Sequence, residues 1–223
     1  MRRIFGSKCK ASKFILSFLL FLFVFENIVY MYTDVSRFRL DTANLSVIHI
    51  IGTAFLHANE YHLFRNSIVF LLLTPSVEYR IGSKRTLILF FISAIGGMVM
   101  YAVFGYLMGF STSGRGASGA SMFFVGLVLM SILYSKLNNE TLTFLVVLSL
   151  LILFEYWKIA FQVDIFSYGD TILVAHIGGF VVGYSVFLGY KKYHSITQSV
   201  INSNPDITPS KRFLYSVSSL LKN

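Results

Sequence analysis

The sequence predicts an all-α polytopic membrane protein, a single bundle of six transmembrane helices. Three observations predict it. The 223 residues are 55% hydrophobic and only 13% charged, with a mean hydropathy of +0.68, well outside the range of water-soluble domains. The apolar residues gather into six stretches of about 20 residues, the length that crosses hydrocarbon. The basic residues lie mostly on one side of those stretches, as the positive-inside rule expects of loops facing the cytoplasm.

The spans follow in order as 14–33, 61–79, 86–109, 118–135, 141–159 and 171–190. The first comes after a basic stretch, but it is too long for the apolar core of a signal peptide and lacks a small-x-small cleavage site, so it reads as retained. Glu26 and Asn27 occupy its outer part, where water or another helix must satisfy them. The connection from Asp34 to Ala58 is the longest outside the membrane, and its apolar part, Leu45 to Leu56, is too short to span and belongs at the interface. With the N-terminus in the cytoplasm, only Arg37, Arg39, Arg65, Arg115 and Lys158 of the 19 Lys and Arg residues fall outside. Both termini are therefore expected in the cytoplasm, and the composition suits a plasma membrane.

The domain organisation that follows is a basic cytoplasmic tail over 1–13, a membrane domain over 14–190 and a second cytoplasmic tail over 191–223. In this last tail Thr208-Pro209-Ser210 reads as a helix start. Phe213, Leu214, Val217, Leu220 and Leu221 recur beyond it at helical spacing, flanked by Lys211, Arg212 and Lys222, the pattern of a short amphipathic helix on an anionic leaflet or a partner. The single cysteine, Cys9, excludes an internal disulfide. A net charge of +9 raises the question of nucleic acid, but the basic residues track the membrane rather than forming a patch, so no nucleic-acid partner is expected.

The polar side chains that are costly to bury cluster at one depth. Spans two, four and six all begin at the outer face. His57, His62 and Asn66 flank or enter span two, Ser118 opens span four, and His176 lies roughly 7 Å into span six at about 1.5 Å per residue. Ser118 on the first helical turn has unsatisfied backbone N–H groups and a positive dipole end beside it, which suit a developing oxyanion. Gly114, Gly116 and Gly119 let the chain bend and let a substrate come close. His176, Gly179 and Gly183 form an i, i+3, i+7 stripe that allows close helix approach. A neutral histidine meeting the serine there makes a dyad of nucleophile and general base. His62 and Asn66, spaced i, i+4, can donate hydrogen bonds to an oxyanion. Asp170 lies on a different face from His176, so a dyad is favoured over a triad, and no cofactor or metal is required. His49 and His194 have no assigned role.

These residues resemble the rhomboid family of intramembrane serine proteases. The resemblance runs from about His57 to Gly183. It is carried by His57-x4-His62-x3-Asn66, by Glu78-Tyr79-Arg80 with Gly82, by Gly116-Ala117-Ser118-Gly119, and by Ala175-His176-Ile177-Gly178-Gly179 with Gly183. It implies Ser118 as nucleophile, His176 as base, and an oxyanion held by the Ser118 backbone N–H, His62 and Asn66. It also implies six helices around a water-filled cavity open to the outside, with transmembrane helices of other proteins as substrates, cut near their outer ends. A monomer suffices, since one chain supplies every group. Two departures stand out. Met122 occupies a position often aromatic in the family, with Phe123 beside it, and the family's common Trp-Arg pair before span two is missing, Trp157 being the lone tryptophan. Glu78 and Arg80 read as a structural ion-pair and hydrogen-bond cluster at the cytoplasmic end.

Two other functional classes compete. One is an inactive rhomboid-like protein that binds transmembrane helices without cutting them. The other is a membrane metallohydrolase with His57, His62 and His176 as ligands.

Overall fold

The structure is a computed structural model that describes residues 9–30, 40–41, 46–109, 113–160 and 171–203. Contacts divide the chain into two units, 1–183 and 184–223. Among the described residues seven helices dominate: α1 Lys10–Tyr30, α2 Val47–Thr53, α3 Glu60–Ile81, α4 Ser83–Met108, α5 Ser118–Leu137, α6 Glu140–Ala160 and α7 Thr171–Ser203. Leu40–Asp41 (β1) pairs antiparallel with Ser113–Gly114 (β2), Leu40 opposite Gly114, tying the chain after α1 to the segment that leads into α5.

Apart from α2, every helix has 20 or more residues, long enough to cross hydrocarbon. Among the described residues three are also apolar enough throughout, at Lys10–Val29, Ser83–Met108 and Leu173–Ser195, while α5 and α6 hold shorter apolar stretches. The remaining helix, α3, carries Glu60, Arg65, Glu78 and Arg80. Of these, Glu78 caps α1 at one end of the bundle. The architecture is that of an all-α polytopic membrane bundle.

The helix limits depart from the hydropathy pattern most at two places. α1 starts at Lys10 rather than Phe14, because a side chain far away in sequence caps it. The Glu78 carboxylate accepts from the backbone N–H groups of Ala11 and Ser12 at 2.8 and 2.9 Å, from Ser12 Oγ at 2.7 Å and from Ser83 Oγ at 2.6 Å. A negative charge on the first turn satisfies two orphan donors and complements the dipole. Arg80 is exposed and takes no part in these bonds, so the cluster is built on hydroxyls and backbone N–H groups instead of an ion pair. Glu78→Ala is expected to lower folding stability by about 3 kcal/mol, since it strands several buried donors. Thermal unfolding in detergent checks this, and a midpoint equal to that of the parent protein would reject the cap.

α7 runs on past Tyr190 to Ser203, so the first part of the expected tail continues the helix. The amphipathic segment expected beyond Thr208 lies outside the described residues, as does Asp170. Within 45–56 only α2 is helical, with Val47, Ile48 and Ile51 exposed, as an interfacial helix presents them.

The core is aromatic. Phe18 of α1 meets Phe55 and Phe91, Phe91 meets Phe90, Phe90 meets Phe70, Phe70 meets Phe124 and Phe124 meets Phe123, each at 5.2 to 6.0 Å between ring centres. Edge-to-face pairs of this kind lock helix register as well as burying area. They join α1, α3, α4 and α5 into one block. Outward-facing Phe21, Phe25, Leu72, Leu107, Leu145 and Leu153 stay exposed, as side chains facing lipid do.

Candidate active site

The turn before α5 is over-determined. Gly116 has φ +131°, a conformation that side chains rarely adopt. Its N–H donates to the Thr53 carbonyl at the end of α2, 2.9 Å away. The His62 ring lies against it, so that a β-carbon on Gly116 would stand 2.5 Å from His62 Cε1 and 2.9 Å from Nε2. Two residues earlier, a β-carbon on Gly114 would stand 2.8 Å from the Tyr101 ring. These contacts leave glycine as the residue that fits. The chain thereby enters α5 with Ser118 on its first turn, half-buried, and the N-cap residue, Ala117, offers that turn no side-chain cap. Its N–H groups are oriented to receive an acceptor from outside the helix.

α7 meets α4 and α5 through glycines. A β-carbon on Gly179 would collide with the backbone of Gly119, and one on Gly119 would stand 3.1 Å from the Ala175 carbonyl oxygen. Gly97 of α4 completes the junction, because a β-carbon there would lie 2.7 Å from the same oxygen and 3.2 Å from Gly119 Cα. Lower on α7, Gly183 faces the Phe123 ring, while the Phe180 ring covers Gly126 of α5. Ser118 and His176 are the immediate sequence neighbours of Gly119 and Ala175. His176 is 6% exposed. Phe123 packs on Gly183, seven residues from His176, and the half-buried Met122 remains beside Ser121 on the second turn of α5.

On α3, the Asn59 side chain caps the helix by accepting from the His62 N–H at 2.8 Å. This fixes where His62 and Asn66 emerge. The His62 and His57 rings meet edge to face at 5.2 Å. Asn66 is 4% exposed, with its Nδ2 3.0 Å from His57 Nε2 and its Oδ1 accepting from Ser121 Oγ at 3.0 Å. His57, His62, Asn66, Gly116 and Ser121 thus form one connected group beside the start of α5. Arg115 pairs with Glu26 of α1 at 3.1 Å, and the other Glu26 oxygen lies 3.4 Å from the His57 N–H. A cavity of about 320 Å³ opens here, lined by Phe23, Glu26, Asn27, His57, Asn59 and Arg115, among others. Among the described residues no three His, Cys, Asp or Glu side chains are grouped to hold a metal ion, so the alternative ligand set of His57, His62 and His176 is not brought together.

His57 titrates far below the usual imidazole range, at about 3. Burial is the main cause, and a charged His62 and Arg115 act in the same direction. The nearby Phe55 carbonyl opposes them without completing a hydrogen bond to the buried Nδ1. Burial of a neutral imidazole destabilises the fold at low pH, because the unfolded chain takes up a proton near 6.5 and the folded one refuses it until about 3. Stability is therefore expected to fall as pH drops through that window, by up to about 1.4 kcal/mol per pH unit from this group. A His57→Gln variant should show a shallower loss. Identical pH profiles for the two proteins would rule out this coupling.

Several of these residues are not apparent in the sequence. Ser121, Gly97 and the Thr53 carbonyl carry no local mark of a site. Glu26 does, as a carboxylate in an apolar span, but its partner lies 89 residues away.

Comparison with known proteins gives the family of the chain. A family model described as the Rhomboid domain matches residues 44–192. Rhomboid-like protease 3 of Toxoplasma gondii is 28% identical over 154 residues, which cover 67% of this chain and 54% of that protein. The chain therefore spans about half the length of that relative. No solved structure matches. The family model covers well over half of the chain and takes in α2 through most of α7, the segments that carry His57, His62, Asn66, Ser118 and His176, and on that ground the chain belongs to the rhomboid family.

Proposed function

We propose that the protein is an intramembrane serine endopeptidase that cleaves transmembrane segments of other membrane proteins. The observation that carries the reading is the glycine junction of α4, α5 and α7, where Gly119 and Ala175, the residues adjoining Ser118 and His176, are in backbone contact. Such a contact supports a meeting of the serine hydroxyl and the imidazole at this level of the bundle. Ser118 Oγ bonds to the scissile carbonyl carbon while its proton passes to His176, and the carbonyl π pair moves onto oxygen. The resulting oxyanion meets the uncapped N–H groups of the first turn of α5, together with His62 and Asn66. Collapse of this intermediate breaks the C–N bond, and the proton on His176 goes to the leaving amine. Water, with His176 again as base, then releases the acyl group from Ser118.

A peptide bond held in a helix cannot reach such a site, so the substrate segment must unwind locally, which favours helix-destabilising residues at the cut. The cavity lined by Glu26, His57 and Arg115 gives the second reactant, water, a route toward the site. The reading keeps both termini of the chain in the cytoplasm of a plasma membrane and the site near the outer face, consistent with the distribution of Lys and Arg.

The test is labelling of the purified protein by a fluorophosphonate probe, compared with Ser118→Ala and His176→Ala. Labelling of the parent protein that vanishes in the first variant and falls sharply in the second is expected. Labelling unchanged in both rejects the dyad, and no labelling of any form points to a helix-binding, non-catalytic member of the family.

A further inference from the structure

We infer that Ser121 is a positioning residue for Asn66, holding its amide with the nitrogen end turned toward the oxyanion. The inference rests on the protease reading above and adds a residue to its machinery.

Ser121 lies three residues after Ser118 on α5, one turn deeper and on nearly the same face. It is 5% exposed and donates from Oγ to Asn66 Oδ1 at 3.0 Å, with a longer approach of 3.5 Å to the Ala117 carbonyl. On the other side of the amide, Nδ2 lies 3.0 Å from His57 Nε2. The Asn66 side chain is thus held at both ends, by α5 through its oxygen and by the segment before α3 through its nitrogen. One turn further along the same seam, Phe70 of α3 meets Phe124 of α5 edge to face at 6.0 Å. These rings stand four residues after Asn66 and three after Ser121. Their packing fixes the register of the two helices, so that the hydroxyl falls opposite the amide.

An asparagine amide is nearly symmetric in shape but opposite in polarity at its two ends. Turned about its last bond, it would present a carbonyl oxygen to the developing negative charge instead of an N–H. A hydroxyl and a neutral imidazole nitrogen can each donate or accept, so Ser121 fixes the place of the amide, and with His57 Nε2 as acceptor the nitrogen end is the one that faces it. In the observed orientation, the Oδ1 acceptor is occupied by Ser121. Of the two Nδ2 hydrogens one is directed at His57, and the second makes no hydrogen bond among the described residues, which leaves it for a ligand oxygen. Without the Ser121 hydroxyl, Oδ1 is a buried acceptor with no donor, and the amide lowers its energy by turning to find one. The oxyanion then loses one of its donors although Asn66 itself is still present. The cost falls on the transition state, where the charge develops, and little on substrate binding.

The experiment measures cleavage of a transmembrane peptide by the full-length protein in detergent micelles, for the parent, Ser121→Ala, Ser121→Thr, Asn66→Ala and the Ser121→Ala/Asn66→Ala pair. Ser121→Ala is expected to lower kcat about ten-fold, a fraction of what loss of a whole oxyanion donor costs, with KM within about two-fold. Ser121→Thr, which keeps the hydroxyl, should restore most of the rate. In the Asn66→Ala background, adding Ser121→Ala should change kcat by less than about two-fold, because the group it positions is gone. A Ser121→Ala rate equal to that of the parent overturns the inference. An equal loss in both backgrounds also overturns it, since that is the signature of general destabilisation, and Ser121→Thr covers the case in which Ser121→Ala folds poorly. Ser118→Ala runs alongside as the reference for the reaction. Cleavage that survives it overturns the protease reading and the oxyanion role of Asn66 with it, whereas Ser118-dependent cleavage indifferent to Ser121 overturns the positioning role alone.

Discussion

Ser118→Ala is expected to cleave a transmembrane substrate at least about a thousand-fold more slowly than the parent protein while folding normally. Loss of the attacking oxygen removes the covalent path altogether, and the activity that remains is whatever the oxyanion donors and binding give to a direct attack by water. Ser118 is half-buried at a helix start and its side chain caps nothing, so removing one oxygen creates no strained contact and no large cavity. His176→Ala is expected to show a loss of similar size. The double variant should be no worse than either single one, because a nucleophile and its base act as a unit. Turnover in detergent and in vesicles gives the rate, and circular dichroism with thermal unfolding gives the fold. Full activity in either single variant would remove the basis of the proposed mechanism.

Gly179→Val has the largest expected effect on structure. A β-carbon at Gly179 meets the carbonyl carbon and oxygen of Gly119, which are backbone atoms with no rotamer to give way. Valine adds two further methyl groups, so α7 and α5 must separate or rotate. Overpacking of this kind costs about 3 kcal/mol. Activity is expected to be lost as well, since Gly119 and Ala175 move apart and Ser118 and His176 move with them. Gly52→Ala is the matching control, as no atom lies within 4 Å of a β-carbon there. It should leave both rate and unfolding midpoint nearly unchanged. A Gly179→Val protein that unfolds at the parent temperature and cleaves at the parent rate would show that the helices do not meet as described.

The helical segments were legible in sequence because hydrocarbon demands about 20 apolar residues per crossing. α5 begins at Ser118, where the apolar pattern begins. The start of α1 was not legible, since it depends on a carboxylate, Glu78, that arrives from a residue more than sixty positions away. The continuation of α7 through Lys191 and Lys192 to Ser203 was also hidden, because a helix that has left the apolar phase gives no hydropathy signal.

The candidate site divides in the same way. Ser118, His62, Asn66 and His176 stand out by type alone, as polar groups in an apolar setting where each needs a reason to be buried. Ser121 does not, because serine packs readily in membrane helices, though its spacing of three from Ser118 was a usable hint. Gly97 is hidden in the sequence for a related reason. A glycine pair in the middle of an apolar span marks close approach without saying to what, and only the fold reveals that it abuts Ala175 and Gly119.

By itself, the sequence determined that this protein lives in a membrane, that its helices follow one another as six long apolar or nearly apolar segments, and which side chains are too polar to sit there without purpose. These are local properties, set by transfer free energies and by the length of a helix that crosses lipid. The tertiary structure decided which of those segments touch and in what register: the three-glycine junction, the Glu26 to Arg115 pair, the capping of α1 by Glu78 and the hold of Ser121 on Asn66. Each joins residues distant in the chain through contacts a few ångströms long, and such contacts depend on helix register, which no local pattern encodes.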